Sequence, residues 1–214
     1  VRAAGFKVAL DAVNSVGGII MPRLLERMGV ECVCVNCEPT GEFAHNPEPL
    51  PSNLVELCEA VVANGADFGI SVDPDVDRLA LICENGQPFG EEYTLVSVAD
   101  YLLSRIYNEA LETGKSIEEI AAPYQMVTSS NLSSSRALRD VTEQYGGEYC
   151  TAAVGEVNVT TKMREAGALI GGEGNGGVIY PALHYGRDAM VGVALFLTNL
   201  AYKKMKVSEL RASY

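Results

Sequence analysis

Basic residues are scarce in this chain: 16 Lys and Arg stand against 28 Asp and Glu, for a formal net charge of −12. Nucleic acid and anionic membrane surfaces are held by clustered Lys and Arg, so neither is expected as a partner. No apolar run approaches the roughly 20 residues that a membrane-spanning helix needs, and the start Val1-Arg2-Ala3-Ala4-Gly5 has no apolar stretch of the signal-peptide kind. A cytoplasmic location is therefore expected. Neither a G-x-G-x-x-G fingerprint nor a P-loop lysine accompanies the Gly17-Gly18 pair, which is read as a device for tight packing. The six cysteines include Cys32-x-Cys34-x-x-Cys37, but no second pair at finger spacing completes a tetrahedral set, and reduced structural thiols are expected. There is no initiator Met, and the chain ends at Ser213-Tyr214 straight after a polar stretch, as expected of a piece of a longer protein.

What is present is a chain of 214 residues, 48% of them apolar, enough for a sizeable core. Lys7 to Asp11 reads as a buried strand and Ile19 to Met28 as an amphipathic helix closed by Gly29. A strand over Glu31 to Asn36 leads into a proline-punctuated loop from Glu38 to Pro51. Ser52 reads as the cap of a helix ending near Asn64-Gly65. Strands at 67–72 and 79–82 come next, then a turn at Asn85-Gly86 and a long helix from Gly90 to about Tyr107. The same plan then repeats: strands at 124–128, 148–152 and 168–171 alternate with helices at 133–145, 156–166 and 187–203. This alternation predicts two consecutive layered α/β domains with mainly parallel mixed sheets, residues 1–89 and 90–214.

Two stretches carry chemistry. The first is Ser71-Val72-Asp73-Pro74-Asp75-Val76-Asp77-Arg78, a tight loop between two apolar strands. Three carboxylates so crowded repel one another unless a cation neutralises them, and oxygen-only donors in a short loop suit Mg²⁺. An EF-hand would also place Asp73, Asp75, Asp77 and Glu84 at ligand positions, but Arg78 stands where that loop requires glycine and the flanks read as strands. An Asp-dependent phosphatase that uses Asp73 as nucleophile is a second reading; it needs a downstream lysine and acidic pair, for which no convincing candidates are found. A third is a non-catalytic divalent-metal-binding module. The second stretch, Gly171-Gly172-Glu173-Gly174-Asn175-Gly176-Gly177, sets one acid and one amide in a glycine-saturated turn. There the backbone can approach a ligand while Glu173 and Asn175 grip the vicinal hydroxyls of a sugar.

Asp73-Pro74-Asp75-Val76-Asp77-Arg78 resembles the Mg²⁺ loop of the α-D-phosphohexomutases, the family of phosphoglucomutase, phosphomannomutase and phosphoglucosamine mutase. The glycine-rich turn resembles that family's sugar loop, with Glu173 at its acid, Asn175 at the usual Ser and Gly177 at the usual His. Val154 to Val159 resembles the loop and helix start that face the active cleft in the family's third domain, Tyr185-Gly186-Arg187-Asp188-Ala189 resembles the turn before that domain's last helix, and the Ser129 to Arg136 turn could face the same cleft. Ala44-His45-Asn46-Pro47 echoes the family's Ser-His-Asn-Pro nucleophile loop, but with alanine in place of the serine, and is read as structural. The resemblance spans the family's second and third domains. It implies an enzyme that moves phosphate between positions 1 and 6 of a hexose through a phosphoserine and a bisphosphorylated intermediate. Mg²⁺ would sit on Asp73, Asp75 and Asp77, Arg78 would act as a catalytic donor, and Glu173 and Asn175 would bind a hexose phosphate. The nucleophile serine of domain one and the phosphate-gripping loop of domain four have no counterpart here, so the chain alone is expected to be inactive and to need those domains of the same polypeptide.

Overall fold

Strand β1 (Lys7–Asp11), four of its five residues buried, is an inner strand of the first sheet, as a continuous apolar run covered on both faces must be. The computed structural model describes residues 1–214. After β1 come helix α1 (Gly17–Met28), strand β2 (Glu31–Val35), helix α2 (Val55–Ala63) and strands β3 (Phe68–Val72) and β4 (Leu79–Cys83). The sheet order is β2-β1-β3-β4, with β1 parallel to both neighbours and β4 antiparallel to β3.

Helix α3 (Glu91–Thr113) and the short α4 (Ile117–Ala121) lead to strand β5 (Gln125–Asn131), helix α5 (Ala137–Gln144), strand β6 (Glu148–Ala152), helix α6 (Glu156–Ala166) and strands β7 (Ala168–Gly172) and β8 (Val178–Ile179). Their sheet has the order β6-β5-β7-β8, again with only the last pair antiparallel. Helices α7 (Ala189–Lys203) and α8 (Val207–Ala212) end the chain. The repeated plan and the mixed, mainly parallel sheets are those expected from the alternation of apolar runs.

Several boundaries differ from the expected ones. Ser52 does not cap α2. Residues Pro51–Asn53 form a 3-10 turn, and the helix starts at Val55 behind Leu54, with no side-chain cap. Leu54 is 1% exposed, and burying a leucine contributes about 1.5–3 kcal/mol against about 1 kcal/mol for a cap. Helix α3 runs past Tyr107 to Thr113, where Gly114 in the left-handed region ends it. Ser116 and Glu119 then form a reciprocal capping box that starts α4. The helix expected from Ser133 begins at Ala137, because Ser133 and Ser134 donate their hydroxyls to Asn131 Oδ1 instead.

The two sheets share one core. A single cluster of 33 buried residues runs from Val8, Leu10, Phe68 and Leu81 in the first sheet to Ile170 and Val178 in the second. Helix α7 follows the second sheet in the chain, yet its Phe196 meets Phe68 and Phe89 edge-on, each at 5.4 Å. Smaller clusters fill the other faces: Leu57 and Val61 of α2 pack on Ala9 and Ile82, and Val159 and Met163 of α6 pack on Val127 and Ile179.

Candidate functional site

The loop between β3 and β4 is wound around the carboxylate of Asp73. Asp73 Oδ1 accepts the backbone N–H groups of Asp77 and Arg78, each at 3.0 Å, and Oδ2 accepts Arg78 Nε at 2.8 Å. This winding forces Val76 to φ +62°, a left-handed conformation that costs a β-branched residue on the order of 1–3 kcal/mol. Two contacts offset that strain. The Val76 side chain is buried in the shared core, and its carbonyl accepts the Ala189 N–H of α7 at 3.0 Å. The final helix thus holds the carboxylate loop in place.

Candidate ligand atoms of Asp73, Asp75 and Asp77 all lie within 4.8 Å of one another. Oxygens sharing one octahedral ion at about 2.1 Å sit roughly 3.0–4.2 Å apart, a spacing compatible with this grouping. Asp73 is buried, Asp75 exposed and Asp77 intermediate. Asp77 Oδ1 is buried and accepts no hydrogen bond; Arg78 Nε is 3.8 Å away from it. An unpartnered buried carboxylate oxygen beside two further carboxylates fits a hard cation. Burial alone would raise the Asp73 carboxyl, but the hydrogen bonds from Arg78 and Asp77 outweigh it and hold Asp73 below the ordinary carboxylate range. Burial, and then the charge of Asp73, push Asp77 up to about 6 against the pull of Arg187. A cation held at Asp77 would therefore compete with a proton. Cation affinity is expected to fall roughly tenfold between pH 7 and pH 5, as Asp77 passes from mostly ionised to mostly protonated; titrations of Mn²⁺ at the two pH values check this.

The glycine-rich turn between β7 and β8 lies against this loop. Leu79 N–H donates to Gly176 O at 3.1 Å, and Arg78 and Gly177 form an antiparallel bridge. A Cβ on Gly176 would stand 2.3 Å from Leu79 O, so only glycine permits this approach. Glu173, 5% exposed, accepts Asn131 Nδ2 at 2.8 Å and Gly155 N at 3.2 Å on Oε1, and Arg187 Nη1 at 2.9 Å on Oε2. Asn175 turns its Oδ1 onto Gly177 N at 3.3 Å, leaving its amide nitrogen without a protein partner. A hydroxyl reaching Glu173 has to share or displace these bonds.

Arg187 is the residue to which the sequence reading assigned no role. Its guanidinium bonds Asp77 Oδ2 through Nη2 and Glu173 Oε2 through Nη1, and Nε lies 3.5 Å from Glu156 Oε2. One cation thus joins the carboxylate loop of the first sheet to the acid of the second. Arg187 can do so because α7 starts two residues later, at the Asp188 cap whose Oδ1 accepts Met190 N and Val191 N at 2.7 and 3.1 Å. The sequence signals were an arginine directly before a good N-cap residue and the resemblance of Tyr185 to Ala189 to a segment of the family's third domain. Arg78, by contrast, folds back onto Asp73 and lies 3.8 Å from Glu48 of the proline loop. His45 of that loop bonds Asp11 at 3.0 Å and anchors it to β1, as a structural reading requires. A nucleophilic Asp73 is disfavoured, since the residue is 1% exposed and both oxygens are engaged.

Paired sheets of one topology, with a carboxylate loop at the end of one and a glycine turn holding an acid at the end of the other, define a two-part α/β protein. Its carboxylate loop gathers the side chains of Asp73, Asp75 and Asp77 at one point. Residues 1–86 match the family model described as phosphoglucomutase/phosphomannomutase, alpha/beta/alpha domain II, and residues 99–214 match alpha/beta/alpha domain III of the same family. The chain belongs to the phosphoglucomutase/phosphomannomutase family. It is 36% identical over 204 residues to the phosphoglucomutase/phosphomannomutase of Thermococcus kodakarensis, a match covering 95% of this chain and 41% of that protein. It is 28% identical over 209 residues to the phosphomannomutase/phosphoglucomutase of Pseudomonas putida, covering 97% and 42%. The crystal structure of a phosphoglucomutase/phosphomannomutase family protein from Burkholderia thailandensis superposes with a TM-score of 0.81 at 27% identity, over 98% of this chain and 42% of that one. The chain thus spans about two fifths of the length of these relatives. No helix is long and apolar enough to cross a membrane.

Proposed function

We propose that this chain supplies the metal-binding and sugar-binding domains of a phosphohexomutase, divided near residues 89 and 90, and that it does not turn over substrate by itself. The observation that carries this reading is the junction of the two loops, in which Arg187 spans Asp77 and Glu173. In this proposal Asp73, Asp75 and Asp77 hold Mg²⁺, which when bound draws negative charge from a phosphoryl group. Arg78 adds a fixed positive donor beside that group, with Asp73 orienting its guanidinium through Nε. Glu173 and the free amide of Asn175 read the hydroxyls of a hexose phosphate that turns between its two phosphorylated orientations. The phosphoserine and a phosphate-binding domain belong to the rest of a longer cytoplasmic polypeptide.

Two measurements on the chain as it stands test this. Mn²⁺ binding followed by electron paramagnetic resonance is expected to show a site that Asp75→Asn and Asp77→Asn each weaken by roughly tenfold or more. Phosphorus NMR of the chain with glucose 1-phosphate, its bisphosphate and Mg²⁺ is expected to show no glucose 6-phosphate. Unchanged Mn²⁺ binding in both variants removes the metal assignment; measurable turnover refutes the inactivity of the isolated chain.

A further inference from the structure

The serine-rich turn between β5 and α5 leans on the glycine turn that carries Glu173 and Asn175. Asn131 closes β5, an inner strand of the second sheet, and is 3% exposed. Its amide is held at both ends. Nδ2 donates to Glu173 Oε1 at 2.8 Å, while Oδ1 accepts the hydroxyls of Ser133 at 3.0 Å and Ser134 at 2.7 Å. Turning the amide over would set Oδ1 against a carboxylate oxygen that already accepts Gly155 N, so Glu173 fixes its orientation. Ser135, not Ser134, serves the start of α5, since its Oγ accepts Ala137 N at 3.2 Å. Ser134 is half-buried and faces Gly174. A Cβ on Gly174 would stand 3.1 Å from Ser134 Cα and 3.2 Å from its Oγ, and the three atoms nearest that Cβ all belong to Ser134.

We propose that Ser134 is a further sugar-binding residue, accepting a hydrogen bond from a hexose hydroxyl, and that Asn131 is the positioning residue that sets both Ser134 and Glu173 for the sugar. This rests on the reading of Glu173 and Asn175 as sugar ligands. A serine hydroxyl has one proton and two lone pairs, and Asn131 Oδ1 takes the proton of Ser134. What Ser134 offers a ligand is therefore an acceptor. Glu173 is an acceptor as well, whereas the amide nitrogen of Asn175, free of protein partners, is a donor. A hexose hydroxyl both donates and accepts, so neighbouring hydroxyls can satisfy the two acceptors and the donor together. Because one buried amide donates to Glu173 and accepts from Ser134, the places of the two acceptors depend on each other. Ser133 braces the same amide from an exposed position, without the approach to Gly174.

The test titrates the chain, in saturating Mg²⁺, with glucose 1-phosphate and follows binding by phosphorus NMR. Ser134→Ala is expected to weaken binding by roughly threefold to tenfold, the loss of one hydrogen bond, and to leave Mn²⁺ affinity unchanged. Ser133→Ala removes a brace of Asn131 but no sugar contact, so its loss is expected to be the smaller. Asn131→Asp keeps an oxygen for the two serines but turns a second oxygen on Glu173; it is expected to weaken the sugar phosphate by roughly tenfold or more. In the same variant the amide resonance of Gly155, whose N–H shares Glu173 Oε1, is expected to shift. If Asn131→Asp does not fold, Ser134→Ala and Ser133→Ala still decide. Glucose 1-phosphate bound equally by Ser134→Ala and the unsubstituted chain, or an equal loss in the two serine variants, overturns the proposal. Failure of the unsubstituted chain to bind glucose 1-phosphate removes the sugar site itself, and this inference with it.

Discussion

Replacing Arg187 with Met is expected to destabilise the metal-free protein by an amount near the low end of the 3–5 kcal/mol that removing one partner of a buried ion pair costs, about 3 kcal/mol. The low end applies because Arg187 and Asp77 keep 19% and 21% of their side-chain surface in water. Methionine preserves much of the length and apolar stem of arginine, so the loss isolates the charge. Asp77, Glu173 and Glu156 would then lose the cation they share, leaving only Arg78, 3.8 Å from Asp77. For a chain of this size, about 3 kcal/mol corresponds to a fall in Tm of roughly 6–12 °C. Mg²⁺ at the aspartates replaces part of the missing charge, so it is expected to raise the Tm of Arg187→Met more than that of the unsubstituted protein. Thermal melts of both proteins with and without Mg²⁺ decide the matter. A variant that melts within a degree of the parent, or an equal Mg²⁺ shift in both, would remove Arg187 from its place as the link between the loops.

Phe196→Ala carries the other large effect. Phe196 is fully buried, and its ring is wedged edge-on against Phe68 and Phe89. Truncation leaves a cavity between α7 and the first sheet and costs about 3–5 kcal/mol, or roughly 6–20 °C in Tm. Because α7 is the helix through which the two sheets share their core, one cooperative transition is expected at the lower temperature. Two separate transitions, with only the residues before Phe89 melting early, would show that the halves are energetically independent. The same helix holds Val76 through Ala189 N, seven residues before Phe196, so Phe196→Ala is also expected to loosen the carboxylate loop.

Much of the fold was legible because its signals are local. Short apolar runs broken by glycine and alternating with amphipathic stretches report their own burial, which is why the two repeated sheets could be read without coordinates. The carboxylate loop was legible for a similar reason: Asp73, Asp75 and Asp77 lie within five residues, and their repulsion is a property of that segment alone. The missed features are those whose cause lies elsewhere in the chain. Ser52 lost its capping role to the burial of Leu54, a contact with Ala9 and Ile82 in the sheet. Arg187 and Asp77 are 110 positions apart, and nothing in the neighbourhood of either names the other. Glu173 was read as a sugar ligand, and its burial against Asn131, Gly155 and Arg187 could not be read from the turn that carries it. Alternation, turn chemistry and the clustering of like charges were determined by the sequence itself, since each follows from residues close together along the backbone. The pairing of the two loops, the core shared through α7 and the partners of every buried charge were decided only by the tertiary structure, because a buried charge must find its countercharge wherever the packing brings one.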